Sequence, residues 1–212
     1  MDENRFVDLW IRCGSRLGRE RAAEIFREVV THYGEPWRVY HTGDHIRHCL
    51  EQVDRIPTDY PDRDNVEMAI WFHDVIYAIG DPDNEVNSVA WFAEQAEGDL
   101  AADFVTTISR LIMATCHLTP PLNLDEQYVV DIDLSGFGLP WQAFMEDSQR
   151  VRDEFPDVSD ADFFEAHQNF LGKLDARPHI YCTELFRSLY EDRARQNIAA
   201  KLSLPPASMR SS

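Results

Sequence analysis

The sequence predicts an all-α, single-domain fold. Apolar residues recur at helical spacing along almost the whole chain. The helical stretches are separated by Gly and Pro breakers. No convincing strand pair, internal repeat or low-complexity tract interrupts them. A length of 212 residues suits one domain, or one with added elements, and can bury a sizeable core.

The elements follow in order. Phe6, Leu9, Trp10 and Cys13 stand at i, i+3, i+4 and i+7, and Gly14 to Gly18 break the pattern. Ala22, Ile25, Phe26, Val29 and Val30 mark a second helix that stops near Gly34 and Pro36. Thr42 is a natural N-cap for a third, through Ile46, Leu50 and Val53 to Pro57. Val66, Ala69, Ile70 and Phe72 line a fourth, which delivers His73 and Asp74 at its end. A loop with Gly80 and Pro82 follows, and Asp83 or Asn84 caps a helix through Val86, Val89, Ala90 and Ala93. Phe104, Ile108, Leu111 and Ile112 share one face of a helix from about Leu100 to Cys116, ended by TPPLN. EQYVVDIDLSGFGLP reads as a short helix running into glycines. Three more helices are expected: Trp141 to about Glu154, Asp160 to about Leu174, and a long one to about Leu202 with Pro178 in its first turn. The domain spans 1–205, and 206–212 read as a flexible tail.

Composition narrows the function. Hydrophobic residues make up 44% and charged residues 27%, ordinary for a soluble globular protein. With no apolar run of spanning length and no signal segment, a cytoplasmic protein is expected. The four cysteines form no CxxC pair, so reduced thiols are expected rather than a disulfide framework or zinc knuckle. A net charge of −18 repels nucleic acid and anionic membranes, so neither is an expected partner. It also repels phosphorylated small molecules, unless a metal or an arginine cluster reverses the local field.

The residues that carry chemistry lie in three stretches. In VYHTGDHIRHCL, residues 39 to 50, a helix beginning near Thr42 puts His45 and His48 on one face and His41 beside it. In WFHDVIYAIGDPDNE, residues 71 to 85, His73 and Asp74 close an apolar helix. The helix dipole accounts for a histidine there but disfavours a carboxylate, and a bound cation removes that penalty. In VVDIDLSGFG, Asp131 and Asp133 sit among apolar residues, and one is expected inward and the other outward, with Asp133 favoured inward. A histidine, a His-Asp pair and a distant Asp make a mixed N/O donor set suited to Mn, Fe, Co, Zn or Mg ions, and Asp74 is the natural bridge if two bind.

At these residues the chain resembles the HD superfamily of metal-dependent phosphohydrolases, whose signature is H…HD…D on an all-helical core. It is similar in particular to a bacterial group of predicted HD phosphohydrolases of about this length. The resemblance runs from EPWRVYHTGDHI through AIWFHDVIYAIGDPDNEVNS and DIDLSGFG to VRDEF and EDRARQNI. YHTGDH is also similar to the YHxxxH stretch of cyclic-nucleotide phosphodiesterases, which share the HD core. The resemblance implies an HD-type helical bundle. It implies a divalent metal (Mn, Mg, Co, Ni, Zn or Fe) held by His45, His73, Asp74 and Asp133, and His41 as the acid that protonates the leaving oxygen. The implied activity is hydrolysis of a small phosphate ester or nucleotide-like substrate, with metal-activated hydroxide as nucleophile. Asp74 serves catalysis as well as ligation in that scheme.

The chain departs from the phosphodiesterases' HDxxHPG run, and it places His117 in ATCHLTP, where it can reach a second metal or a substrate phosphate. Arg38, Arg152 and Arg195 are candidates to bind the phosphate with a guanidinium fork. Asn84 and Glu85 either cap a helix or support the metal histidines from behind. Two other classes are compatible with the pattern: an HD-type iron oxygenase, and a non-catalytic regulatory or binding domain with a structural metal. No histidine stands between His117 and Asp133, which argues against a full oxygenase-type ligand set unless His48 or a carboxylate substitutes.

Overall fold

A computed structural model describes residues 1–205. The fold is all-α: among the described residues there are ten α-helices and a 3₁₀ turn, and no strand. In order they are α1 (Glu3–Arg12), α2 (Gly18–Tyr33), α3 (Gly43–Val53), α4 (Arg63–Phe72), α5 (Asn84–Ala96), α6 (Ala102–Ala114), α7 (Leu124–Asp133), the 3₁₀ turn Leu134–Gly138, α8 (Trp141–Asp153), α9 (Asp160–Asp175) and α10 (Glu184–Leu202). The tail expected at 206–212 lies outside the described residues. No described helix is long and apolar enough to cross a membrane. The stretch expected to form one domain divides into two compact units, Met1–Asp133 and Leu134 onward.

The first unit is built around α4. Val66, Met68, Ala69, Ile70, Trp71 and Phe72 are all buried, so this helix is covered on every side rather than on one stripe. Glu67 is buried with them and pairs with Arg5 at 2.7 Å. Phe6 of α1 meets the Trp71 ring edge-on with centroids 5.2 Å apart, and Phe72 meets Phe92 of α5 at 4.8 Å. Side-chain caps set the helix starts: Asp2 accepts from Arg5 N, and Thr42 accepts from Asp44 N. Asn123 and Glu126 bond reciprocally at the start of α7. Between α1 and α2 a distant residue does this work. Buried Asp99 accepts from Trp10 Nε1, Ser15 Oγ and the backbone N–H groups of Arg16 and Leu17.

In the second unit α10 packs on α9 and on the 3₁₀ turn. A Cβ added at Gly138 would fall 2.5 Å from Tyr190 Cβ, so only glycine permits that approach. Asn197 donates to the carbonyls of Phe137 and Leu139 at 2.8 Å each. The last helix begins at Glu184, capped by Thr183, and not at Pro178 as expected. Ile180 and Tyr181 are buried instead as a non-helical segment, with their N–H groups donating to Glu191 and the Tyr181 hydroxyl to Leu134 O. Those long-range bonds replace the helical ones that Pro178 could have begun.

A second correction concerns α7. Asp131 was expected to face water if Asp133 turned inward, yet Asp131 is 0% exposed. Asp131 is enclosed and Asp133 is part-buried, on different sides of the helix, because residues two apart on a helix point roughly 200° apart.

Candidate metal centre

Three helices deliver the candidate ligands, all within the first unit. α3 packs Ile46, Cys49, Leu50 and Val53 inward, and His45 lies on the same buried face. α4 ends at Phe72, with His73 still in right-handed helical conformation and Asp74 next. Asp133 is the last residue of α7.

These side chains bring like atoms together. His45 Nε2 lies 3.3 Å from His73 Nε2, 3.7 Å from Asp74 Oδ2 and 3.5 Å from Asp133 Oδ1. His73 Nε2 lies 3.0 Å from Asp74 Oδ2 and 3.5 Å from Asp133 Oδ1. His73 Nδ1 faces the Ile70 carbonyl at 2.9 Å. A carbonyl only accepts, so Nδ1 carries a proton, and in the neutral ring Nε2 is a lone pair. Around neutral His73 acceptor thus faces acceptor, which positive charge at the centre resolves.

The electrostatics say the same. Burial alone pushes the carboxyls of Asp74 and Asp133 up and the His73 imidazole down. For Asp74, the charges of His73 and His41 outweigh burial and hold it well below the usual carboxylate range. For Asp133, hydrogen bonds from His117, His45 and His73 do so. Asp74 and Asp133 in turn hold His73 well above its ordinary value. In the absence of an ion, a proton supplies the charge.

The donor set fits a divalent ion. Ligand bonds of about 2.0–2.1 Å imply ligand-to-ligand edges of roughly 2.9 Å for octahedral and 3.4 Å for tetrahedral geometry. The edges quoted above run from 3.0 to 3.7 Å. Among the described residues, His45, His73 and Asp74 form a group whose ligand atoms lie close enough together to hold an ion, and Asp133 stands beside it. The imidazoles are enclosed, whereas the side chains of Asp74 and Asp133 keep 13% and 18% exposure, so solvent reaches the carboxylate side. That asymmetry matches a site with an open position rather than a closed structural one.

His41 sits half-buried at the mouth. Its ring stacks on Tyr77 at 4.2 Å, lies 6.0 Å from the His45 ring and is close enough to depress Asp74. His48 is not among the converging atoms; burial, then the charges of His45 and Arg55, lower it to about 4.

The residues expected at the phosphate are spent on the fold. The Arg38 side chain is 0% exposed. It donates to the carbonyls of Asp74 at 2.6 Å, Val75 at 2.8 Å and His41 at 3.2 Å, and pairs with Glu35. Arg38 therefore braces the backbone of the HD pair from beneath and does not meet a substrate. In the second unit, Arg152 donates to Phe155 O, Val158 O and Asp160, and Arg195 to Asp175 O, Arg177 O and Glu191. Each closes a turn between helices. His117 bonds Asp133 at 2.9 Å. Asn84 uses its amide on both backbone groups of Ala78, closing the loop after the HD pair rather than backing the histidines. Glu85 hydrogen-bonds Cys116, whose thiol is pushed up to about 11 by burial and then by that carboxylate.

Two neighbours of the site were not singled out from sequence. Cys49 brings Sγ within 3.6 Å of His45 Nε2, and its i+4 spacing from His45 was a legible signal of a shared face. Tyr77 stacks on His41 across a loop, and nothing local marks it.

Compared with protein-family models, with curated proteins and with solved structures, the chain shows no match.

Proposed function

We propose that the chain is an HD-type, metal-dependent phosphohydrolase acting on a small phosphate ester. The observation that supports this most is the convergence of His45, His73 and Asp74 at ion-ligand spacing, with Asp133 Oδ1 3.5 Å from both imidazole nitrogens and the two carboxylate side chains slightly exposed. A divalent ion held there supplies a water acidified toward neutrality and a positive clamp on a phosphoryl oxygen. The chain's own residues do the rest. The imidazoles of His45 and His73 and the carboxylates of Asp74 and Asp133 bind and orient the ion. His73 is kept in one tautomer by Ile70 O. His41, half-buried beside Asp74 and stacked on Tyr77, holds a proton for the leaving oxygen.

Charge argues for a lightly charged substrate. The net charge is −18, and the three arginines expected at the phosphate are engaged with carbonyls and carboxylates. The ion and the histidines are then the counter-charge, which suits one phosphoryl group better than a polyphosphate chain.

The test is phosphate release from a panel of monoesters, diesters and polyphosphates. Chelated protein is re-supplied with Mg, Mn, Co, Ni, Zn or Fe, beside Asp74→Ala. Metal-dependent release from a mono- or diester, lost in the variant, is the expected result. Tight metal binding with no release from any substrate would move the reading to an iron oxygenase or a structural metal.

A further inference from the structure

We propose that His117 is a positioning residue for Asp133, its Nε2–H holding one carboxylate oxygen so that the other faces the ion site. This rests on the reading of Asp133 as an ion ligand. The two oxygens of Asp133 have divided roles. Oδ2 lies 2.9 Å from His117 Nε2, while Oδ1 lies 3.5 Å from the Nε2 atoms of both His45 and His73. A carboxylate tied at one oxygen cannot rotate to exchange them, so a single oxygen is presented to the ion.

The other nitrogen of His117 shows which role the ring plays. Nδ1 is buried and has no hydrogen-bond partner among the described residues. If Nε2 carries the ring's single proton, Nδ1 is an unused acceptor, which proteins tolerate. If Nε2 were instead a ligand lone pair, the proton would sit on Nδ1 as an orphaned buried donor, the rarer and costlier case. The structure therefore favours a donor to Asp133 over a further metal ligand or a group that waits for phosphate.

The backbone is committed to this placement. His117 follows α6 with φ +54°, a conformation that few residues other than glycine adopt. The turn is held by Cys116 N and His117 N donating to Met113 O and Ala114 O, and by Glu85 on the Cys116 side chain. Non-glycine residues kept in such a conformation cluster where a side chain must be aimed.

The experiment compares the parent, His117→Phe, His117→Gln and Asp74→Ala for Mn²⁺ affinity by equilibrium dialysis. Nitrogen NMR of the parent reads the His117 tautomer. Phe keeps the ring and removes both nitrogens; Gln restores a donor near the Nε2 position. The expected result is a roughly 10- to 100-fold weaker Mn²⁺ affinity in the Phe variant, the range for losing an outer partner of a ligand. Gln should recover most of that loss, and the parent should carry its proton on Nε2. Parent-like affinity in the Phe variant, or equal loss in Phe and Gln, would overturn the proposal, the latter by making the ring nitrogen a ligand. Should the Phe variant fail to fold, the tautomer decides: a proton on Nδ1 overturns the proposal and one on Nε2 sustains it. A parent that binds Mn²⁺ no better than Asp74→Ala would instead remove the ion-site reading itself, and the proposal with it.

Discussion

The two compact units use their polar side chains in opposite ways. In the second, donors meet acceptors. Glu191 takes the N–H groups of Ile180 and Tyr181 and pairs with Arg195, while Arg152 closes its turn on two carbonyls and Asp160. In the first, around the end of α4, acceptors meet acceptors: two imidazole nitrogens lie 3.3 Å apart, and each lies 3.0 to 3.7 Å from the carboxylates of Asp74 and Asp133. Complementary clusters stabilise a fold, and removing one partner is costly. A cluster of like groups needs a positive charge, an ion or a proton, before it stabilises anything. Charged and polar side chains are therefore read differently in the two places, and the pairing tells them apart.

That contrast can be broken at several points. The largest effect is expected at Asp74→Ala. It should weaken Mn²⁺ binding by more than the roughly 100-fold that outer partners reach. In chelator it should lower thermal stability at neutral pH, because the protonated His73 loses its carboxylate partner at 3.0 Å. Undiminished Mn²⁺ content in this variant would end the distinction between the units.

Arg38→Ala comes next. It strands the carbonyls of Asp74, Val75 and His41 and takes from Glu35 its arginine, leaving it only His32 at 3.2 Å. A loss of about 3 kcal/mol in urea unfolding is expected, together with weaker Mn²⁺ binding, since the HD pair loses its brace. A stability loss with unchanged affinity would confine Arg38 to the fold.

Glu191→Gln probes the other unit. Burial raises the Glu191 carboxyl, but the N–H groups of Ile180 and Tyr181 and the Arg195 guanidinium outweigh it and hold it below its ordinary 4.5. The folded value lies below the unfolded one. Its stabilisation is therefore complete above pH of about 4.5 and is lost as pH falls through the folded value. The variant should be less stable by about 1 to 2 kcal/mol at pH 7, and its stability should fall less steeply on acidification. Mn²⁺ affinity should not move.

The smallest effects sharpen the comparison. Thr42→Ala and Thr183→Ala each remove an N-cap and should each cost about 1 kcal/mol. Only Thr42 starts the helix that carries His45, so only Thr42→Ala should also loosen Mn²⁺ binding, measured side by side. Equal affinities in the two variants would show that the site does not depend on the register of α3.

Much of the fold was legible because helices answer to local rules. The spacing of Phe6, Leu9 and Trp10, the cap at Thr42 and the breakers at Gly34 and Pro57 act within a few residues of one another, and α1 to α3 follow them. The HD pair was legible for a similar reason: a carboxylate at a helix C-terminus conflicts with the helix dipole, and that conflict is visible without a fold. The start of α10 was not, because Pro178 suits a helix locally while Glu191 and Leu134 O claim the segment from elsewhere in the chain. Nor was the burial of Asp131, since a spacing of two shows only that two side chains diverge.

By itself the sequence determined the helical class, the approximate helix boundaries, the acidic surface and the residue types able to hold a divalent ion. Only the tertiary structure decided which atoms converge. It turned Arg38 under the HD pair, set His117 against Asp133 and spent Arg152 and Arg195 on turns. The physical reason is range. Helix formation depends on neighbours along the chain. Whether a guanidinium or an imidazole meets a carbonyl, a carboxylate or an open site depends on groups that packing brings together from distant helices.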